Sequence, residues 1–287
     1  QASPEIKILS PAIETQDANV SPMELDRARP TDPALIGYTS GTTGRPKGAV
    51  LSHGNVMATV TALHEAWRWS EDDVLLHALP LFHIHGLVAA VLASLGAGAS
   101  VHCTPGFNAL KFFASMKEAQ PSWYTAVPTM HQAILGRAAR NREFIASTRL
   151  RFLRSSSASM PTPVMKELEE TFGAPLIEAY GMTEASHQMA SNPLPPAVRK
   201  PGAVGLPTGV EISIMDPAGR HLPLGSTGEV VIRGPSVTEG YQNNVDANAG
   251  ALVLDNVAVN ELTITAATST TLTGDIDVED NLTFLGA

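Results

Sequence analysis

The chain has 287 residues, of which 44% are hydrophobic and 16% charged; that is enough apolar material to bury a sizeable core and too much for a disordered chain. A net charge of −9 with no basic stretch argues against nucleic acid and anionic membranes as partners, and no apolar run is long enough to span a membrane. The single cysteine, Cys103, excludes a disulfide within the chain and suits a reducing compartment; with no secretion signal visible, a cytoplasmic location is expected.

Residues 1–33 are proline-rich and read as a lead-in segment. ALIGYTS (34–40) is a short apolar run ending in turn residues and predicts a strand, and GAVLSH predicts a second. Ser52 is placed to N-cap a helix through NVMATVTALHEAWRW. DDVLLHALPLFHIH reads as a buried strand, followed by the small-residue helix GLVAAVLASLG. The alternation continues with SVHCT as strand, NALKFFASMKEA as helix, PSWYTAVP as strand and PTMHQAILGRAAR as helix. LRFLRSSSAS is a strand leading into a loop. PTPVMKELEETFG is a helix punctuated by Pro161 and Thr162 at its start and Gly173 at its end. APLIEAYGMTE is a strand running into a polar loop.

Strands alternating with helices in this way predict a layered α/β core over residues 34–199 with a largely parallel sheet. From Lys200 to Tyr241 the texture changes to short alternating strands with Gly and Pro turns, a small antiparallel β subdomain. Residues 242–287 form an atypical Thr-rich acidic tail with seven acids and neither Lys nor Arg.

TSGTTGRPKG (39–48) is the densest cluster of anion-binding groups. Its glycines let the backbone fold around an anion, and its hydroxyls and lysine supply donors. It is not a Walker loop. Arg45 and Pro46 separate Gly44 from Lys47, Gly48 follows the lysine, and the flanks are two strands rather than a strand and a helix. A Gly/Ser/Thr surface hairpin is the bland alternative, but it does not require so many donors.

The loop resembles the phosphate-binding signature of the adenylate-forming superfamily of acyl-CoA synthetases, luciferases and adenylation domains. LPLFHIHGL (79–87), EAYGMTEASH (178–187), KPGAVGLPTGVEISIMD and GEVVIRGPSVTEGY match further segments of that family in order, and on these the chain is identified as a member. The resemblance implies part of the family's N-terminal domain. It implies that Thr39, Ser40, Gly41, Thr42, Thr43, Gly44 and Lys47 wrap the β- and γ-phosphates of ATP. Glu178, Ala179, Tyr180, Gly181, Met182 and Thr183 would hold adenine and the α-phosphate, with Tyr180 stacking on the base, and Glu184 would ligate Mg²⁺. Thr183, Glu184, Lys47 and His83 are the expected catalytic groups. The implied reaction joins a carboxylate to AMP, with release of pyrophosphate, before transfer to coenzyme A.

His83 and His85 would face the same side of an extended strand. By the same resemblance, the run Arg154-Ser155-Ser156-Ser157-Ala158-Ser159 and His187 line the acid pocket. A pocket with His83, Ser157, Ala158, Ser159 and His187 suits a small doubly charged acid, whose second carboxylate needs donors to replace its water. Within the superfamily the stretches WYTAVPTMHQAIL and LRFLRSSSASMP are most similar to the oxalate–CoA ligase branch, with malonyl-CoA synthetases as the alternative. Three departures stand out. Only 38 residues precede Thr39, Asp275 stands where a ribose-binding aspartate would be only if the spacing is stretched, and the family's C-terminal domain has no counterpart. A truncated nucleotide-binding fragment without turnover is therefore the second reading. No partner beyond ATP, CoA and a small acid is implied, and the oligomeric state is left open.

Overall fold

Strands that place bulky apolar residues on both faces require a sheet covered on both sides, which is the arrangement of the computed structural model. It describes residues 27–39, 46–244 and 248, with the backbone of two short paired strands, Thr263–Ile264 and Thr283–Phe284. Ser40, Gly41, Thr42, Thr43, Gly44 and Asp275, together with most of the lead-in and tail, lie outside the described residues.

β1 (Pro33–Thr39) and β2 (Lys47–Ser52) pair as an antiparallel hairpin whose last register pair is Thr39 with Lys47. Helix α1 (His53–Trp67) follows at once, because Ser52 caps it as the sequence predicts. The Ser52 hydroxyl accepts from Asn55 N–H at 3.1 Å, and the Asn55 side chain accepts from Ser52 N–H at 2.9 Å, a complete capping box.

β3 (Val74–His77) leads through a loop into a π-helical segment (His85–Leu92), which runs on into α2 (Ala93–Gly96). Then come β4 (Ser100–Cys103), α3 (Phe112–Ala119), β5 (Trp123–Ala126), α4 (Pro128–Ala138), α5 (Arg142–Ser147), β6 (Phe152–Ser155) and α6 (Thr162–Phe172). β7 (Leu176–Met182), β8 (His187–Ser191) and β9 (Leu206–Pro207) complete a seven-stranded sheet of order β4-β3-β5-β6-β7-β8-β9. Pairing is parallel from β4 to β7 and antiparallel from β7 to β9.

The period of two along the strands sorts the core. Leu75, Trp123, Phe152 and Ile177 pack with α1 and the π-helical segment, while Leu76, Tyr124, Leu153 and Leu176 pack with α3, α4 and α6. The result is three layers, α/β/α. A separate antiparallel pair, β10 (Glu211–Met215) and β11 (Glu229–Arg233), sets Ile212, Ile214, Val230 and Val231 against Tyr180, Met189 and Ala190 of β7 and β8. At the N-terminal edge of the parallel strands, buried Asp73 takes two hydrogen bonds from Arg151, at 2.8 and 2.7 Å, and one from Ser122 Oγ at 2.6 Å. This polar tie joins β3, β5 and β6 away from the edge where the site lies. Among the described residues no helix is long and apolar enough to cross a membrane.

Two expectations are corrected. DDVLLHALPLFHIH is not one strand: β3 stops at His77 and a turn follows, in which the carbonyl of Pro80, a residue with no N–H to give a ladder, accepts from His83 N–H at 3.4 Å. His83 and His85 therefore do not share a strand face; His83 is exposed and His85 is buried at the start of the π-helical segment. Likewise α3 begins at Phe112 rather than Asn108, because the Asn108 side chain accepts from Leu110 N–H at 2.9 Å and holds a turn.

Candidate functional site

A cavity of about 420 Å³ opens beyond the carboxyl ends of β3, β5, β6 and β7, where the strand order reverses between β3 and β5. Its polar lining comes from His83, His85, Ser157, Thr183 and His187, and none of its lining residues is an acid. Leu79, Ile84, Val127, Met130 and Met182 supply the apolar walls.

One end of the cavity is built from β6, β8 and the π-helical segment. Arg154, the third residue of β6, shares a face with Phe152 and so points into the layer beneath α1, with its guanidinium 4.8 Å from the centre of the Trp67 ring. It is fully buried, and among the described residues no carboxylate pairs with it. Instead it donates to His85 Nε2, to Thr125 Oγ1 at 3.2 Å and to Gln188 Oε1 at 3.2 Å, and its Nη2 lies 3.5 Å from His187 Nδ1. Burial pulls the guanidinium down to about 9, which leaves it charged near neutral pH.

The two imidazoles stand 5.1 Å apart. Burial first, and then the charge of Arg154, hold both His85 and His187 well below the ordinary imidazole range, so both are neutral. The other nitrogen of His85, Nδ1, lies 3.0 Å from Ser157 Oγ. Ser157 and His187 both have left-handed backbones, φ 71° and 101°, a conformation that side-chain-bearing residues seldom adopt and that marks strain held by the surroundings. The expected polar run therefore divides. Arg154, Ser155 and Ser156 are buried, Ser157 lines the cavity, and Ala158 and Ser159 are exposed without lining it.

The other end is held mostly by main-chain contacts. Gly181, Met182 and Thr183 line the cavity, and Glu184 is buried behind them. Glu184 Oε1 accepts from the Tyr241 hydroxyl at 2.7 Å, and its carbonyl accepts from Thr238 N–H at 2.7 Å. Val50 N–H donates to Gly240 O at 3.1 Å and Gln242 N–H to Gly48 O at 2.7 Å, so residues 238–242 bind β2 to the Thr183–Ala185 turn. Lys47 Nζ lies 5.4 Å above the Tyr241 ring. Gly37 of β1 comes so close to Thr183 that an added Cβ would stand 2.4 Å from its methyl group. The hairpin that carries the Ser/Thr/Gly loop thus flanks Thr183, with Thr39 and Lys47 at the loop's two feet.

Of the remaining expected nucleotide residues, Ala179 is buried and Tyr180 sits in the cluster beneath β10 and β11, where burial and then the charge of Glu184 raise its phenol. Glu178 is buried and accepts from Gly202 N–H at 3.0 Å; burial pushes its carboxyl up to about 7. Thr125, Gln188 and Tyr241 escaped sequence reasoning. The first two lie in strands with nothing beside them in sequence to mark Arg154 as a partner, and Tyr241 lies far from Glu184 in the chain.

Glu184 and Thr183 offer hard oxygens, a single carboxylate among them, which fits Mg²⁺ in a site completed by phosphate oxygens and water. Among the described residues no group of three acid, histidine or cysteine side chains forms a metal cage of its own.

The chain matches a family described as AMP-binding enzyme over residues 3–242. It is 49% identical to an oxalate–CoA ligase of Arabidopsis thaliana over 222 residues, 76% of this chain and 43% of that protein. It is 36% identical to the mitochondrial malonate–CoA ligase of Homo sapiens, with 77% of this chain and 44% of that protein covered. The ATP-bound crystal structure of MatB from Rhodopseudomonas palustris superposes with a TM-score of 0.71 at 37% identity, covering 78% of this chain and 44% of that one. The chain thus spans less than half the length of each of these relatives.

Proposed function

The chain belongs to the AMP-binding enzyme family, and from that premise we propose that it forms the nucleotide- and acid-binding part of an ATP-dependent acyl-CoA ligase for a small dicarboxylate, oxalate before malonate. The observation that carries this reading is a single cavity lined both by Gly181, Met182 and Thr183, in the segment expected at adenine and the α-phosphate, and by His83, Ser157 and His187, three of the five residues expected at the acid. Oxalate–CoA and malonate–CoA ligases among the relatives support a short diacid.

In the proposed reaction one carboxylate oxygen of the acid attacks the α-phosphorus of ATP, and the bond to the β-phosphate breaks to release pyrophosphate. The thiol of coenzyme A then attacks the acyl carbon and AMP leaves. The protein's task is to bring two anions together and hold them in line. Thr39 and Lys47, at the feet of the loop, and Thr183, at the end of β7, supply donors on the phosphate side. Mg²⁺, held by Glu184, would neutralise phosphate charge. Ser157 and His187 serve the acid, in a cavity whose lack of acids avoids repulsion.

ATP–pyrophosphate exchange with oxalate, malonate, acetate, octanoate and coumarate tests the reading. Exchange is expected with the two diacids, fastest with oxalate. Preference for a monocarboxylate would sink the diacid assignment, and ATP binding without exchange would favour a nucleotide-binding fragment without turnover.

A further inference from the structure

Arginine nitrogens only donate hydrogen bonds, and a neutral imidazole has one nitrogen that donates and one that accepts. These two facts determine the proton positions around Arg154. Arg154 donates to His85 Nε2, so that nitrogen carries no proton; Thr125 Oγ1, which accepts from Arg154 at 3.2 Å, lies 2.8 Å from the same nitrogen. The proton of neutral His85 is then on Nδ1, which donates to Ser157 Oγ at 3.0 Å. With its oxygen engaged as an acceptor, the Ser157 hydroxyl keeps its hydrogen for the cavity it lines. At the second ring, Nη2 of Arg154 faces His187 Nδ1 at 3.5 Å, which disfavours a proton there and moves it to Nε2.

We propose that Arg154 is a positioning residue that sets the tautomers of His85 and His187, so that Ser157 and His187 present hydrogen-bond donors, and not acceptors, to the acid. Specificity follows from this polarity. A carboxylate has only acceptors and is satisfied by such a pair, whereas a carboxamide or alcohol of the same size brings donors that find no partner and binds roughly 10–100-fold more weakly for each one buried. The charge points the same way. A fully buried guanidinium without a carboxylate partner among the described residues is costly in itself, and an anion a few side chains away offsets that cost. The nucleotide end takes no part in this arrangement, since none of the hydrogen bonds of Arg154 reaches the Thr183–Ala185 turn.

The inference rests on the diacid reading for its ligand but not for its wiring, and the experiment separates the two. Nitrogen-15 NMR of the imidazoles in the unliganded chain reads the tautomers directly. Nδ1–H on His85 and Nε2–H on His187 are expected, and Arg154→Met should return both rings toward the mixture seen in free peptides. Calorimetry is run alongside with oxalate, its monoamide oxamate and ATP. Arg154→Met is expected to weaken oxalate by roughly 10–100-fold, narrow the oxalate–oxamate difference and leave ATP affinity within about twofold. Arg154→Lys keeps the charge but not the fork, and should recover oxalate affinity only partly. Nε2–H on His85 in the wild-type chain would overturn the proposal whatever binds, and that measurement stands even if the Arg154→Met variant fails to fold. Equal losses of ATP and oxalate would also overturn it. The expected tautomers without oxalate binding would uphold the role of Arg154 and defeat the diacid reading alone.

Discussion

The two ends of the cavity are held in place by different means. At the end proposed for the acid, side chains do the work: a buried guanidinium hydrogen-bonds two imidazoles, a threonine and a glutamine behind Ser157. At the end proposed for the nucleotide the backbone does most of it, through main-chain hydrogen bonds from residues 238–242 to β2 and to the turn at Glu184, joined by the Tyr241 hydroxyl, and through glycines that let strands approach. A side-chain network fixes proton positions and so chooses among ligands of similar size. A main-chain clamp fixes distances, and it sets Thr183 and Lys47, whose Nζ lies over the Tyr241 ring, on the side proposed for phosphate. Substitutions should therefore separate the two ends by what they damage.

The largest effect is expected where the ends meet. A Cβ at Gly181 would lie 1.5 Å from the carbonyl oxygen of His187, so Gly181→Val must part β7 from β8 and disturb both walls at once. Loss of at least about 3 kcal/mol of stability, or failure to fold, is expected in chemical denaturation; a fully stable Gly181→Val variant would show that the two walls are not rigidly joined. Gly37→Val should sharpen the contrast instead, because its Cβ meets the side-chain methyl of Thr183, at 2.4 Å, and no backbone atom of a neighbouring strand. Exchange activity should fall on the order of 100-fold, by displacement of the hairpin from Thr183, while oxalate affinity and melting temperature barely change.

Glu178 gives a pH test. Burial raises its carboxyl from 4.5 to about 7, so the folded chain retains a proton that the unfolded chain releases between those values. This group's contribution is most favourable below pH 4.5, is lost as the pH rises to about 7, and is level above that. Urea denaturation across that window should show a decline on the order of 2–3 kcal/mol, and Glu178→Gln should flatten it while leaving an oxygen for Gly202 N–H. The smallest effect is at the hairpin's exit. Ser52→Ala removes the cap of α1 and should cost about 1 kcal/mol in thermal unfolding, without altering the preference among acids.

Much of this was legible in the chain. Strand and helix alternation, the cap at Ser52 and the strand flanks of the Ser/Thr/Gly loop are local patterns, and local patterns survive folding when nothing opposes them. His83 and His85 show where legibility ended. Alternation along an assumed strand put them side by side, but Pro80 breaks the strand, so one histidine is exposed and the other is packed against Arg154. Arg154 itself could be read only as one polar residue in a serine-rich run. Nothing near it in sequence announces a buried charge, because its partners Thr125, His85, His187 and Gln188 arrive from other strands and a helix.

By itself, then, the sequence determined the family and the layered α/β architecture and singled out the segments proposed to meet nucleotide and acid, since each is written in contiguous residues with their own spacing. Only the tertiary structure decided which polar side chains share a low-dielectric space and which nitrogen of each histidine holds its proton. Those are properties of groups brought together across 30 to 70 residues of chain, where desolvation and a single fixed charge outweigh any local preference.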